Sequence, residues 1–366
     1  MYDFIIAGAG LYGAVFAYEA RKRGKKCLVV EKRDHAGGNV YCKNMQGINV
    51  HYYGAHIFHT SNENIWKYVN QFVPFNNYIN SPIASYKGEL YNLPFNMNTF
   101  YQLWKIKTPE EAQLKIDEQK NKYRNPQPAN LEEMALSLVG EDIYFKLIKG
   151  YTEKQWGRPA SEIPAFIIQR VPLRYTFDNN YFNDRFQGIP IGGYNAMIEA
   201  LLKDVEIVYN TDFLDHMDEF NSKANQIIYT GEIDRYFDFC FGKLEYRSLI
   251  FEHEVMCGVK NYQGNAVFNY TDAEIPYTRI LEHKHFEFGT QEDTVITREY
   301  SANYTGSSEP YYPINDQQNN DLYRKYRQLA DRNEKLHIGG RLGAYKYYNM
   351  DQVIEAALHD TNKIIG

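Results

Sequence analysis

Cysteine is scarce in this chain: there are four in 366 residues, at positions 27, 42, 240 and 257, with no C-x-x-C pair among them. A disulfide-built scaffold and the usual cysteine zinc or dithiol motifs are therefore excluded, and a reducing cytoplasm is the expected setting. No apolar run approaches the roughly 18 to 20 residues that a membrane-spanning helix needs. Asp3 interrupts the amino terminus where a secretory leader would be apolar, so no signal peptide is expected. Positive charge is also short: 40 Lys and Arg against 46 Asp and Glu leave a net charge of -6. That balance argues against nucleic acid or an anionic membrane surface as a general partner, and an anionic ligand must be met by locally placed arginines. Internal repeats, low-complexity tracts and linkers are missing as well.

What the chain has in excess is aromatic, with 33 Tyr and 21 Phe. Most must fill cores, yet tyrosines crowded next to arginines suit a site for a sugar or nucleotide. With 44% hydrophobic residues, the chain is long enough for two or three packed units.

The amino terminus carries the most informative local pattern. Residues 2–7 read as a buried strand, Gly8-Ala9-Gly10-Leu11-Tyr12-Gly13 as a tight turn, 14–23 as a helix and 26–30 as a second strand ending at Glu31. In such a unit the first glycine turns the chain, the second lets backbone approach a pyrophosphate, and the third lets helix and strand pack closely. The free N–H groups of the helix then bind the pyrophosphate, and Glu31 is placed to accept hydrogen bonds from an adenosine ribose. Dinucleotide binding in a Rossmann-type unit is the reading.

Further along, Gly37-Gly38-Asn39 could let backbone approach a cofactor. His56 and His59 have no acid or cysteine partner at matching spacing, so polar contacts to a ligand are expected and no metal. Residues 83–94 read as a hairpin turning at Lys87-Gly88. Thr108-Pro109-Glu110-Glu111 is a capping box with proline at the first helical position. Leu131, Met134, Ala135 and Leu138 share a helical face. Residues 164–193, rich in breakers, form a candidate mobile loop. Residues 226–229, 237–241, 247–255, 266–270 and 298–304 suggest a mostly antiparallel sheet. A strand at 336–338, Gly339-Gly340-Arg341 and a helix at 351–362 return the chain to the nucleotide unit.

Gly150-Tyr151-Thr152-Glu153-Lys154-Gln155-Trp156-Gly157 resembles a specific family, the bacterial UDP-galactopyranose mutases. The likeness continues through Phe177-Asp178-Asn179-Asn180-Tyr181-Phe182, Phe268-Asn269-Tyr270-Thr271-Asp272, Pro276-Tyr277-Thr278-Arg279-Ile280, Glu282-His283-Lys284 and Gly340-Arg341-Leu342-Gly343, in the family's order over essentially the whole chain. The resemblance implies an α/β fold: a Rossmann-type FAD-binding domain (1–74, 189–242 and 318–366), a helical-bundle insertion (98–156) and an antiparallel β-sheet domain for substrate (75–97, 157–188 and 243–317). It also implies a homodimer, and an enzyme that interconverts UDP-galactopyranose and UDP-galactofuranose, with the N-acetyl analogues as an open alternative. Reduced FAD would act as nucleophile at the anomeric carbon, with no net redox change.

Residue by residue, Gly8, Gly10, Gly13, Glu31, Lys32, Gly38 and Asn39 match the family's adenosine and pyrophosphate side. Arg341, Met350, His56 and His59 match the flavin side. Arg170 on the mobile loop and Arg279 on fixed structure match the diphosphate grip, which suits a planar guanidinium fork. Tyr181, Tyr347 and one of Tyr311 and Tyr312 match its hydroxyl contacts. Trp156 matches the indole beneath the sugar. Asn269, Arg247 and Asn349 match nearby polar positions, and Tyr151 with Thr152 the uridine pocket. Three departures from the pattern involve four positions: Leu147 and Ile148 stand where the family often has aromatics that flank uracil, Asn349 where an acid is common, and Ala55 where a proline is frequent. Two other functions share parts of the pattern: an FAD oxidoreductase of the amine-oxidase type, and a non-catalytic nucleotide-sugar-binding flavoprotein.

Overall fold

The computed structural model describes residues 1–168 and 173–366. Strand Tyr2–Ala7 is the middle of a five-stranded sheet, with Ala224–Tyr229 and then Leu336–Ile338 on one side and Cys27–Val30 and then Glu206–Val208 on the other. All four pairings are parallel. Parallel strands are covered on both faces, which explains a continuous apolar run instead of an alternating one. Phe4 and Ile6 pack with helices Leu11–Lys22, Tyr194–Leu201 and Met350–Ile365 through Val15, Met197 and Ile354. Ile5 and Ala7 face the opposite side, with Phe220, Tyr326 and Ala330.

A second, seven-stranded sheet has the order Tyr312–Pro313, Tyr246–Met256, Thr294–Asn303, Arg279–Glu282, Val267–Tyr270, Ile83–Tyr86, Glu89–Asn92. It is antiparallel except between Val267–Tyr270 and Ile83–Tyr86. Here the α/β class expected from the sequence takes its mixed form. Helices Met97–Trp104, Pro109–Lys122 and Leu131–Val139 pack over this sheet's end around Phe100, Ile116 and Leu131. The Thr108 box is closed in both directions, Glu111 N donating to Thr108 Oγ1 at 3.3 Å and Thr108 N donating to Glu111 Oε2 at 3.1 Å. The buried face of the third helix is Leu131, Ala135, Leu136 and Val139, so Met134 and Leu138 sit at its margin.

Between Tyr144 and Lys149 the next helix makes a π turn, and the α-helix Gly150–Trp156 continues from it. A π turn takes up an additional residue and shifts the phase of everything after it. Leu147 and Ile148 accordingly fall into the helical core, while Tyr151 reaches a cavity on the other side. The two departures from the aromatic pattern are thus core residues, and an Ile148→Phe change would overfill that core.

Two expectations are corrected. Residues 237–241 are not a strand. They follow the short helix Ile233–Tyr236 and turn with left-handed backbone at Asp238 and Phe239, φ 48° and 54°. The alternation Phe-Asp-Phe-Cys-Phe imitates a strand, but the Tyr326 hydroxyl accepts from Phe241 N at 2.9 Å and donates to Gly242 O at 2.6 Å, pinning a turn. Residues 226–229 do form a strand, but it runs parallel beside Tyr2–Ala7 and is no part of the antiparallel sheet.

Lys154 ties the helical region to that sheet. Its Nζ donates to the carbonyls of Tyr270, Ile275 and Tyr277 at 2.8, 2.9 and 3.0 Å. These carbonyls flank the turn between the strands that carry Asn269 and Arg279. Lys154→Met would leave them without that donor, and a loss of about 2 kcal/mol in denaturant unfolding is expected, since charge-assisted bonds are worth more than neutral ones. Unfolding that coincides with wild type would show that the clip contributes nothing.

Candidate active site

Both sheets contribute to one cavity of about 550 Å³. At one end lies the glycine turn. A Cβ on Gly13 would sit 2.0 Å from Gly8 O, so only glycine lets the helix lie this close to the strand. Gly10 is different. A Cβ there would meet nothing nearer than Gly38 Cα at 3.8 Å, so no protein contact demands glycine, and the space it leaves belongs to the cavity. The helix Leu11–Lys22 begins at Gly10 without a side-chain cap, leaving its first N–H groups free for an anion.

Glu31 is 5% exposed, and its carboxylate is fixed by two backbone donors, Ala9 N at 2.7 Å and Arg33 N at 3.0 Å. Its remaining lone pairs are available to the cavity it lines. Lys32 lines the cavity as well, but its Nζ lies 3.0 Å from Glu309 Oε1. Arg33, which the sequence reading did not single out, lies over the Tyr53 ring at 4.2 Å and donates from Nη2 to Glu309 Oε2 at 3.1 Å. Its Nη1 is buried and has no partner among the described residues.

Gly38, Asn39, His56, His59, Arg341 and Met350 also line the cavity. Arg341 donates from Nη2 to Tyr311 O at 3.2 Å, and its Nε is another buried donor without a partner. His56 Nδ1 is 2.8 Å from Gly54 O, and burial lowers its pKa to about 4, so it is neutral at physiological pH. His59 Nδ1 is 2.6 Å from Asp184 Oδ2.

The other end is built around Arg279. Its Nη2 donates to the Tyr151 hydroxyl at 2.7 Å, and its Nε lies 3.1 Å from Glu299 Oε1. Burial opposes the guanidinium charge, but Glu299 and the neighbouring tyrosines outweigh it and hold Arg279 protonated. Glu299, 3% exposed, is a second residue that sequence reasoning missed. It meets Arg279 only because strand pairing sets the two directly opposite. Tyr312 and Tyr347 stack at 5.2 Å with 19° between planes. Burial pushes Tyr151 up to about 12 and raises Tyr312 and Tyr347 too, so all three remain hydroxyl donors. Tyr181, Asn269 and Asn349 complete this end, and Asn269 Oδ1 is buried without a partner.

Of the other residues singled out in the sequence, Trp156 packs at the margin of the helical core and Thr152 is buried. Arg247 is 5% exposed, with Nε donating to Gln155 O at 3.0 Å and Nη1 to Asn303 Oδ1. Tyr311 is buried beside it, its N donating to Arg247 O at 2.9 Å. None of these four is among the cavity's lining residues, whereas Tyr312 is. Arg170 lies outside the described residues.

The residues present fit FAD. The turn leaves room at Gly10, a fixed acid stands near it, and partnerless buried donors occur at both Arg33 and Arg341. Gly10→Ala is expected to reduce flavin bound per protein, read from absorbance, while the apoprotein melts as wild type. Gly13→Ala should lower both. Equal destabilisation of the two apoproteins would contradict the assignment of Gly10's space to a ligand.

Comparison with known proteins gives a consistent picture. Residues 146–347 match the family model described as UDP-galactopyranose mutase, and residues 6–72 match an NAD(P)-binding Rossmann-like domain. The chain is 38% identical to a Klebsiella pneumoniae protein named "Probable UDP-galactopyranose mutase", covering 100% of this chain and 95% of the relative. It is 36% identical to the dTDP-fucopyranose mutase of Escherichia coli, covering 98% and 97%, and 33% identical to the UDP-galactopyranose mutase of Mycoplasma genitalium, covering 100% and 95%. Among solved structures, a reduced UDP-galactopyranose mutase superposes with a TM-score of 0.74 at 17% identity, covering 100% of this chain and 97% of the other. A putrescine oxidase with bound putrescine gives 0.56 at 12% identity, covering 100% and 99%.

Proposed function

The chain belongs to the UDP-galactopyranose mutase family, and from that premise we propose that it interconverts UDP-galactopyranose and UDP-galactofuranose with no net redox change. The observation that carries this reading is Arg279, a guanidinium kept charged by Glu299 and ringed by protonated tyrosines, facing a cavity that ends in a dinucleotide turn. Such a donor set suits a diphosphate, and the orphaned Asn269 Oδ1 supplies an acceptor for a sugar hydroxyl.

The cofactor is FAD. When bound in its reduced form it supplies an electron-rich N5 as nucleophile toward the anomeric carbon. The chain's own residues bind and orient. Arg279, Tyr312 and Tyr347 hold the diphosphate, first as part of the substrate and then as the departing group, so that charge developing on it meets fixed donors. Arg170 adds a second guanidinium on the family pattern. Tyr181, 45% exposed at the cavity's edge, is a further diphosphate hydroxyl on the family pattern. On the family pattern Trp156 supports the sugar from the margin of the helical core, with Asn269 and Asn349 lining the cavity, and Tyr151, backed by the buried Thr152, forms the uridine side. Arg247 and Tyr311 act from behind, through the strand that carries Tyr312. The three-unit division drawn from the family pattern, a homodimer and a cytoplasmic setting belong to the same proposal. No helix among the described residues is long and apolar enough to cross a membrane.

A second reading concerns the substrate alone. The E. coli relative named for dTDP-fucopyranose stands at 36% identity beside 38% for the Klebsiella protein, so overall likeness does not separate the two nucleotide sugars. Chromatography of reaction mixtures with UDP-galactopyranose, its N-acetyl analogue and dTDP-fucopyranose is the direct test. The highest kcat/KM is expected for a UDP-sugar, and a clear preference for dTDP-fucopyranose would move the assignment to the second reading. Arg279→Ala should lower kcat/KM at least about tenfold, the value of one charge-assisted bond. Arg279→Lys should recover only part of it, because an ammonium cannot replace a planar fork. Wild-type kinetics in Arg279→Ala would remove this residue from the diphosphate grip.

A further inference from the structure

Tyr151 belongs to the helix Gly150–Trp156, whereas Asn269 and Arg279 belong to the strands Val267–Tyr270 and Arg279–Glu282 of the seven-stranded sheet. The substrate end therefore depends on how this helix is seated against the sheet. Among the described residues, two side chains of the helix hydrogen-bond to residues 267–282. Tyr151 Oη accepts from Arg279 Nη2 at 2.7 Å. Lys154, three residues on and a neighbour of Tyr151 on the helix surface, donates from Nζ to the carbonyls of Tyr270, Ile275 and Tyr277 at 2.8, 2.9 and 3.0 Å.

Those carbonyls belong to the end of one strand and to the turn that leads into the other. Tyr270 directly follows Asn269, and Tyr277 lies two residues before Arg279. The turn is closed by Tyr270 N donating to Thr278 O at 2.8 Å, and Thr278 N and Oγ1 both donate to Glu299 O, at 2.8 and 3.0 Å. It is thus continuous with the Arg279 and Glu299 pair. Three carbonyls need three hydrogens, which an ammonium has and a neutral amine lacks. Burial lowers Lys154 to about 8 against the pull of Asp272 and Glu274, so the ammonium predominates at pH 7. The helix cannot come closer to the turn, because even a Cβ on Gly150 would sit 2.3 Å from Thr271 O. Lys154 draws the helix onto the turn, and the glycine sets how near it lies.

A hydroxyl that accepts from a guanidinium keeps its own hydrogen, and no described residue takes the hydrogen of Tyr151. Burial holds that hydroxyl protonated, and Tyr151 lines the cavity. A hydrogen bond is lost once donor and acceptor part by about an ångström, so a small shift of the helix would release it. We propose that Lys154 is a positioning residue of the substrate end: by clamping the helix to the turn before Arg279, it sets the Tyr151 hydroxyl against that guanidinium and leaves the hydroxyl's own hydrogen for the nucleoside diphosphate. The identity of the ligand rests on the mutase reading of this site; the positioning does not.

Two measurements test it. The first is UDP binding to oxidised, FAD-loaded protein in a double-mutant cycle. Lys154→Met, which keeps the bulk of the side chain and removes its donors, should raise the UDP Kd about fivefold, the worth of one hydrogen bond. In a Tyr151→Phe background the same change should raise it less than about twofold, because no hydroxyl is left to place. A clip with a structural role alone would act equally in both backgrounds. Equal fold-changes, or an unchanged Kd in Lys154→Met, would overturn the proposal. The second measurement needs no ligand. With Tyr151 alone replaced by 3-fluorotyrosine, the fluorine NMR signal in Lys154→Met should move to the position it takes in Arg279→Ala, where the contact is gone. A signal that stays at the wild-type position would overturn the proposal equally. If Lys154→Met does not fold, Lys154→Gln, neutral but with two N–H donors retained, supplies both comparisons. A wild type that does not bind UDP refutes the mutase reading, and the fluorine signal then decides the positioning by itself.

Discussion

A guanidinium facing the inside of a cleft persists only if something nearby compensates the loss of water. In this protein that compensation is the pair Arg279 and Glu299, set opposite each other on neighbouring antiparallel strands at 3.1 Å. The pairing register therefore matters as much as the residues: a one-residue slip would send either side chain to the other face of the sheet. The rest of the substrate end is arranged around this charge. Tyr151 arrives from the helical region after the π turn, Tyr312 from the edge strand and Tyr347 from the segment before the last helix. Among the described residues this end presents the Arg279 guanidinium, kept charged beside Glu299, and a set of hydroxyl donors, a combination suited to a diphosphate that must be held and then released.

The opposite end depends on a steric limit instead of a charge. Gly13 against Gly8 sets how near the first helix comes to the first strand, and that distance decides where the free N–H groups point. The two ends are joined by the segment running from Glu309 to Tyr312. Glu309 meets Lys32 and Arg33 beside the glycine turn, Tyr311 O accepts from Arg341, and Tyr312 reaches the substrate end. A short stretch of chain thus links the two ends of the cavity.

The parts of this design that were legible in the sequence are local ones. Strand, glycine turn, helix, strand and acid occupy consecutive residues, and the Thr108 capping box needs only four. Arg33 and Glu299 were not legible as site residues, because each acquires its role from a partner that only the fold brings to it: Glu309 and Arg279. Residues 237–241 misled for a different reason. Their alternating aromatics satisfy the strand pattern, and only the distant Tyr326 hydroxyl reveals the turn. Leu147 and Ile148 looked like missing stacking partners because sequence position carries no phase information through a π turn.

The central claim is that this framework performs a redox-neutral exchange with a reduced flavin. The most direct measurement is an anaerobic titration of turnover against flavin redox state, with product furanose and residual reductant quantified in the same sample. The account predicts no turnover with oxidised FAD, activity proportional to the fraction reduced, and many product molecules formed without consumption of reductant. Full activity with oxidised flavin, or one reductant consumed for each furanose formed, would contradict it.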